Sequence, residues 1–326
     1  MRKIKPVLGI IISLFFLLLA LKDIHIENIL SIIKKVNFSL LVVTLVIILA
    51  GLSQRAIRWG LILNPARREK FQNLFSVLMV GYFGNNVLPA RMGEIFRIFA
   101  LHKNYHYGKS RTLATIVLEK IFDVLILLFF FIIIISFAPL PIWIKNGGVL
   151  LGLGFVGIMS FLFLFTHKKE KALKVLDFFA FSFSEKMVRR GRDILEKFDE
   201  GLRILKTKKD LFIVIIFSFS IWITEFFFIY AVIRSFNVQL GLTGVVFLSI
   251  ILNLGMLIPS SPGYVGTFQF LCIMALKPFG VDKETALSIS IVLHILALAV
   301  TTLIGLLCFW RENLKWSEAQ TSELNN

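Results

Sequence analysis

Asn85-Asn86-Val87-Leu88-Pro89-Ala90-Arg91-Met92-Gly93-Glu94 interrupts one apolar segment, and Ile258-Pro259-Ser260-Ser261-Pro262-Gly263-Tyr264-Val265-Gly266-Thr267 interrupts another. Pro89 and Gly93 match Pro262 and Gly266 in spacing, 173 residues apart, and the flanking apolar segments keep that offset. Paired Pro/Gly interruptions in corresponding halves of a chain point to a transporter site built from broken helices. The hinge positions so defined are Pro89, Gly93, Pro259, Ser261, Pro262, Gly263 and Gly266.

Composition sets the solvent. The chain is 57% apolar with a mean hydropathy of +0.83, and its apolar runs approach membrane-spanning length. This is the composition of an all-α, polytopic membrane protein. The longest polar stretch, His167 to Asp210, is about 44 residues, too short for a soluble catalytic domain. Cys272 and Cys308 both fall in apolar segments and read as small core residues, so neither a disulfide nor a metal framework is expected. A net charge of +16 raises the question of nucleic acid, but Lys and Arg sit in alternating loops, as the positive-inside rule produces. No nucleic-acid partner is expected. The segment Val7 to Leu21 follows Arg2, Lys3 and Lys5 without a small-residue cleavage site after it, and it reads as a first membrane helix.

Six full crossings are expected: Pro6–Leu21, Phe38–Trp59, Arg111–Phe137, Gly147–Thr166, Leu211–Ile233 and Glu284–Phe309. Two further apolar segments, Phe71–Leu88 and Gly241–Ile258, run into the breaks and continue only as the stubs Ile95–Leu101 and Thr267–Leu276. Each pair reads as a re-entrant hairpin, since irregular backbone at membrane depth needs protein or a water-filled cavity around it. With both termini cytoplasmic, this topology leaves seven Lys and Arg outside, against 29 inside. Counting the broken segments as crossings moves a basic loop outside, against the charge rule. Three crossings separate Phe38 from Leu211, so two equivalent units, about 38–137 and 211–309, are expected as an inverted repeat. They make one membrane domain over 1–326, with a cytoplasmic basic loop at 167–210. Ile29, Ile32, Ile33 and Val36 share a helical face beside Lys34 and Lys35, the pattern of a short interfacial helix. Met187, Ile194, Phe198, Leu202 and Leu205 form a comparable stripe in the basic loop, suited to headgroup docking.

The embedded charges carry the candidate chemistry. Arg91, Glu94 and Arg97 share one helix side just after Pro89, with Asn85 and Asn86 before the break. Two guanidinium forks beside a helix N-terminus make a phosphate clamp, with Glu94 holding them apart from permanent occupancy. The bland alternative is a self-satisfied salt-bridge ladder. Glu119 and Asp123 lie at i, i+4 on the next helix around Lys120, either as partners for the hairpin arginines, as a proton site, or as a fixed anchor. Glu225, with Trp222 one turn before it, and His294 are the second unit's few embedded ionisable residues. Arg55 and Arg58, beside Trp59, most simply snorkel to inner headgroups, with direct lipid binding as the sharper alternative. Gly108-Lys109-Ser110 lacks the first glycine of a phosphate loop, and His102 and His106 lack the glutamate of a metalloprotease helix. No catalytic residue, metal or cofactor is expected.

At Arg91-x-Gly93-Glu94-x-x-Arg97, Glu119-Lys120-x-x-Asp123 and Ser261-Pro262-Gly263-x-x-Gly266 the chain resembles the flippase-like membrane domain of lysylphosphatidylglycerol synthases, the UPF0104 family, from about residue 5 to 312. That resemblance implies movement of lipid, notably aminoacylated phosphatidylglycerol, between leaflets of a cell membrane. Some members carry a soluble aminoacyl-tRNA-dependent transferase domain, and nothing in this sequence is long enough to be one. Gln269 stands where the family often has Glu, and Tyr264 where a second glycine is common, so the second hairpin is less charged and stiffer. The expected function is a lipid translocase that holds an anionic headgroup, with Gln269 among its contacts. The alternatives are a membrane enzyme transferring an aminoacyl or glycosyl group to lipid, and a membrane subunit that recruits a lipid-modifying synthase.

Overall fold

The computed structural model describes residues 4–22, 24–63, 69–88, 93–135, 137, 208–256 and 260–314, with single positions between 142 and 193. Among the described residues all regular structure is helical. Helices α1 (Ile4–Leu21) and α2 (Ile26–Lys34) precede two runs of similar build. The first is α3 (Phe38–Leu63), α4 (Phe71–Val87), α5 (Gly93–Tyr105) and α6 (Lys109–Ile135); the second is α7 (Lys208–Ser235), α8 (Leu242–Gly255), α9 (Thr267–Leu276) and α10 (Lys283–Arg311). Helix lengths run 26, 17, 13 and 27 residues in one and 28, 14, 10 and 29 in the other. Helices α3, α7 and α10 are long and apolar enough to cross a membrane. Helix α6 has the same length but carries Glu119, Lys120 and Asp123 at its middle. The expected crossing Gly147–Thr166 and the stripe from Met187 to Leu205 lie outside the described residues, apart from single positions.

Both breaks follow from local chemistry. Leu88, which precedes Pro89, is extended at φ −100°, ψ 146°, the region a following proline ring imposes. Helix α5 restarts at Gly93, whose N–H donates to Asn85 Oδ1 at 2.9 Å. In the second break Ser261 is extended ahead of Pro262, a single 3₁₀ turn spans Pro262–Tyr264, and α9 starts after Gly266. The Gly266 N–H donates to Gln269 Oε1 at 2.7 Å. In both places a side-chain amide oxygen caps a backbone N–H that a helix start leaves without a partner. Glycine is required at these two restarts. A Cβ on Gly93 would lie 1.9 Å from the Gly81 carbonyl, and one on Gly266, already at φ +87°, 2.2 Å from the Ser13 carbonyl.

Polar contacts gather the loops at two ends. At one end Asn37 N–H donates to the Ser235 carbonyl, Asn28 to Glu284, and Lys283 to the Lys22 carbonyl. At the other, Arg311 donates to the Gln72 carbonyl and Asn73, Asn104 and Tyr105 to Glu312, and Arg111 to the Leu63 carbonyl. Helix α3 therefore runs from the Ser235 end to the Glu312 end, roughly 39 Å at 1.5 Å per residue. Helices α4 and α5 both have their outer ends at the Glu312 end. The loops before α8 and after α9 meet at the Ser235 end, where Asn237, Val238, Gly280 and Val281 line a common recess.

Packing crosses between the runs: α3 lies along α7, α4 along α10, and α6 against α8. One apolar core joins α6 to α10 around Phe226, Val245, Leu248 and Leu293, and a second joins α3, α4, α5 and α10 around Trp59, Leu78, Phe96 and Phe309. Between the cores the two interruptions meet, with the 262–264 turn packed on α4 and Gly263 beside the Asn86 carbonyl. Asn86 also donates to Thr301 and Thr302 of α10 at 2.9 and 3.0 Å. Ser13 of α1 accepts the Ser261 N–H at 2.7 Å and meets Thr267 at 3.5 Å, pinning the second hairpin from outside. The α2 stripe faces the protein: Ile29 is buried, Ile33 packs on the core, and α2 lies against α10. Ile26 and Leu30 are its exposed apolar residues.

Candidate functional site

Charged side chains from four helices converge below the hairpin tips. On α3, Arg55, Arg58 and Trp59 share a face at i, i+3, i+4; α5 brings Glu94 and Arg97, α6 brings Glu119, Lys120 and Asp123, and α7 brings Ser218, Trp222 and Glu225. Four cations thus meet four carboxylates among the described residues, and the pairs are unequal.

Among the described hairpin cations Arg97 is the most enclosed, 3% exposed. Its Nη2 donates to Glu119 Oε2 at 3.0 Å and its Nη1 to Glu94 Oε2 at 3.1 Å, while the guanidinium lies 4.1 Å over the Trp59 ring. Trp59 is itself fixed by its Nε1–H donating to Thr115 at 3.2 Å. A fork clamped on two carboxylates and an indole has little left for a ligand. Lys120, half exposed, reaches the other Glu94 oxygen at 3.3 Å.

Arg58 does not snorkel. It is 0% exposed, and its Nη1 donates to Asp123 Oδ1 at 2.7 Å and to Ser218 at 3.1 Å. The sequence pattern beside Trp59 pointed to the membrane surface; the partner on α6, 65 residues away, turns the side chain inward instead. An arginine buried this fully is tolerable only because a carboxylate compensates it.

Arg55 differs from both. Its nearest carboxylate oxygens are Glu225 Oε2 at 3.6 Å and Asp123 Oδ2 at 3.9 Å, beyond good hydrogen-bond length, and it sits 5.6 Å from the Trp222 ring. Its donors face a cavity of about 800 Å³ enclosed by α3, α4, α6, α7, α8 and α10 and by both hairpin tips. Arg55, Lys120, Glu94, Asp123 and Glu225 line one part, and Ile47, Ile48, Leu125, Leu128 and Phe228 line another. Because α3 runs opposite to α6 and α7, these five apolar residues each lie toward the Ser235 end of their charged neighbours, while Ile116, Val117 and Trp222 line the wall on the Glu312 side. The cavity is therefore amphipathic along the bundle, charged toward Glu312 and apolar toward Ser235.

Of the remaining residues singled out in the sequence, Asn85 and Asn86 reach the cavity from the first tip while bonding Gly93, Thr301 and Thr302. Gln269 lies behind the second tip, where its Nε2 meets His294 Nδ1 at 3.0 Å. With its Oε1 accepting from Gly266, the amide must donate to Nδ1. His294 stacks on Phe268 at 4.4 Å, and both line the cavity. Arg91, Pro89 and Pro259 lie outside the described residues. Tyr82, Asn253 and Thr301 also line the cavity. As lone polar residues in apolar helices they carry no local signature.

The chain is similar in sequence to known membrane proteins. The sequence model of the lysylphosphatidylglycerol synthase TM region matches residues 7–305. The chain is similar to a UPF0104 membrane protein of Pyrococcus horikoshii, 23% identical over 92% of this chain and 95% of that one. It is 26% identical to a UPF0104 membrane protein of Methanocaldococcus jannaschii over 70% of this chain and 93% of the relative. A similarity of 23% to the glycosyltransferase AglD of Haloferax volcanii covers 93% of this chain and 54% of that protein.

Proposed function

The chain belongs to the lysylphosphatidylglycerol synthase transmembrane-region family, and we propose that it moves a phospholipid or modified lipid between leaflets. The observation that carries this is the amphipathic cavity beneath two interrupted hairpins, whose charged part exposes one loosely held guanidinium, Arg55. A lipid has the same two-part chemistry. Its phosphate would take the Arg55 fork, with Lys120 as a second cation, and its glycerol and first methylenes would lie along Ile47, Ile48 and Phe228. The rest of each acyl chain stays in the bilayer. Arg97 orders Glu94 and Glu119 in this scheme, and Arg91 enters as a further phosphate ligand on sequence grounds.

The two four-helix runs are then inverted copies, each hairpin dipping from its own end toward the shared site, in a molecule of six full crossings with cytoplasmic termini. Their matching lengths, crosswise packing and opposite-end hairpins support this arrangement. The location is the cell membrane, and a lipid-modifying synthase is the proposed partner, met by the basic loop 167–210.

Reconstitution into vesicles with fluorescent phosphatidylglycerol tests the function. Inner-leaflet label should become accessible to an impermeant external quencher faster than in protein-free vesicles; equal rates across several headgroups would remove the proposal. The similarity to glycosyltransferase AglD favours one second reading, transfer of a glycosyl or aminoacyl group to a membrane lipid. A deletion strain missing a modified lipid would support it, whereas an unchanged lipid list with altered leaflet distribution supports movement.

A further inference from the structure

Glu225 is the carboxylate that the ion-pair network holds least. Glu119 is gripped by Arg97 at 3.0 Å, Glu94 by Arg97 and Lys120 at 3.1 and 3.3 Å, and Asp123 by Arg58 at 2.7 Å. Among the described residues the ionic partner of Glu225 is Arg55 alone, at 3.6 Å, and its side chain is 32% exposed to the cavity. Among the described residues, the charged or titratable groups of the cluster and of the cavity wall around it are Arg55 and Arg58 on α3, Tyr82 on α4, Glu94 and Arg97 on α5, and Tyr264 at the second tip. Helix α6 adds Glu119, Lys120 and Asp123, and α10 adds His294. Helix α8 brings no ionisable residue.

Among the described residues the cluster balances four positive against four negative charges before anything binds. An anionic headgroup on Arg55 adds a negative charge and shares the one ionic partner that Glu225 has among the described residues. A second anion on that guanidinium disfavours the charged form of Glu225, which, unlike Glu94 with its Lys120, has no second ionic partner among the described residues. The other three carboxylates keep closer cations of their own. Resting on the assignment of the cavity as a headgroup site, we propose that Glu225 takes up a proton from bulk water when an anionic headgroup displaces it from Arg55. On release the carboxyl returns that proton to water and closes again on Arg55, so lipid and proton enter and leave the cavity together. The sequence offered Asp123 as a proton site; its 2.7 Å bond to Arg58 leaves that role to Glu225.

Calorimetry on the full chain in detergent tests this, with dihexanoyl phosphatidylglycerol as the probe because its phosphodiester does not titrate near neutral pH. Titrations at one neutral pH in buffers of different ionisation enthalpy give the protons exchanged per ligand bound. Wild type should take up about one proton, and Glu225→Gln should still bind with the uptake abolished. Binding without proton uptake by wild type overturns the proposal, as does uptake that persists in Glu225→Gln. If Glu225→Gln does not fold, Glu225→Asp keeps a protonatable group and should retain the uptake; its loss there also counts against the proposal. Absence of binding by wild type itself fails the headgroup-site assignment rather than the proton step alone.

Discussion

Three arginines of one charged cluster have three different fates, set by how closely each is matched. Arg58 is buried against Asp123, so Arg58→Ala strands a carboxylate and should cost about 3–5 kcal/mol in thermal unfolding. Replacing both partners, as Arg58→Met with Asp123→Leu, should recover most of that loss, because no buried charge is then left alone. Arg55 is the opposite case. Its long contacts to Glu225 and Asp123 contribute little to stability, and both acids have other recourse, Asp123 to Arg58 and Glu225 to the cavity. Arg55→Ala should leave the fold intact and slow lipid movement about tenfold or more, the worth of a charge-assisted hydrogen bond. Unchanged movement would remove Arg55 as headgroup ligand. The sequence singled out all of these residues, with Asp123 and Glu225 as embedded charge and Arg55 and Arg58 as arginines reaching the membrane surface. It could not rank them, because Asp123 on Arg58 and Glu119 on Arg97 come from another helix, and only Glu94 is a neighbour in sequence.

The hairpin restarts are the elements on which the site depends. Gly93→Ala and Gly266→Ala should each destabilise the protein by at least about 1–3 kcal/mol, since the new Cβ would collide with a backbone carbonyl that cannot move aside. Ala substitution tolerated at both would mean that the hairpins are looser than this. At the start of α10, Asp282 Oδ1 accepts the Thr285 N–H at 2.9 Å. Partial burial works against its charge, but hydrogen bonds from Thr285 and nearby backbone hold its carboxyl below the usual range. Its contribution is therefore complete above the unfolded value, near pH 4, and is lost as pH falls through the lower folded value. Asp282→Ala should cost about 1 kcal/mol at neutral pH and nothing at strongly acid pH. A constant difference across that range would exclude the cap as its origin. Element positions were legible because apolar run length and Pro/Gly punctuation are local signals: α4, α5, α8 and α9 fall on the segments either side of each break. The α2 stripe was legible as a helix face, but its burial against α10 was not.

For the whole molecule, the proposed cycle needs the hairpin tips to part. Ser13 and Thr267 hydroxyls lie 3.5 Å apart where α1 pins the second hairpin. Cysteines at these positions, with Cys272 and Cys308 replaced, should form a disulfide on oxidation that arrests lipid movement and releases it on reduction. Full activity in the oxidised form would show that the second hairpin need not leave α1. What the sequence determined alone is the helical membrane class, the two broken segments and the set of charges near them, since each depends on residues close together in the chain. Which arginine stays available, and that the charged part of the cavity continues into an apolar one, was decided by tertiary structure. Ion pairing and cavity lining depend on how helices remote in sequence are rotated against each other, and no local pattern encodes that rotation.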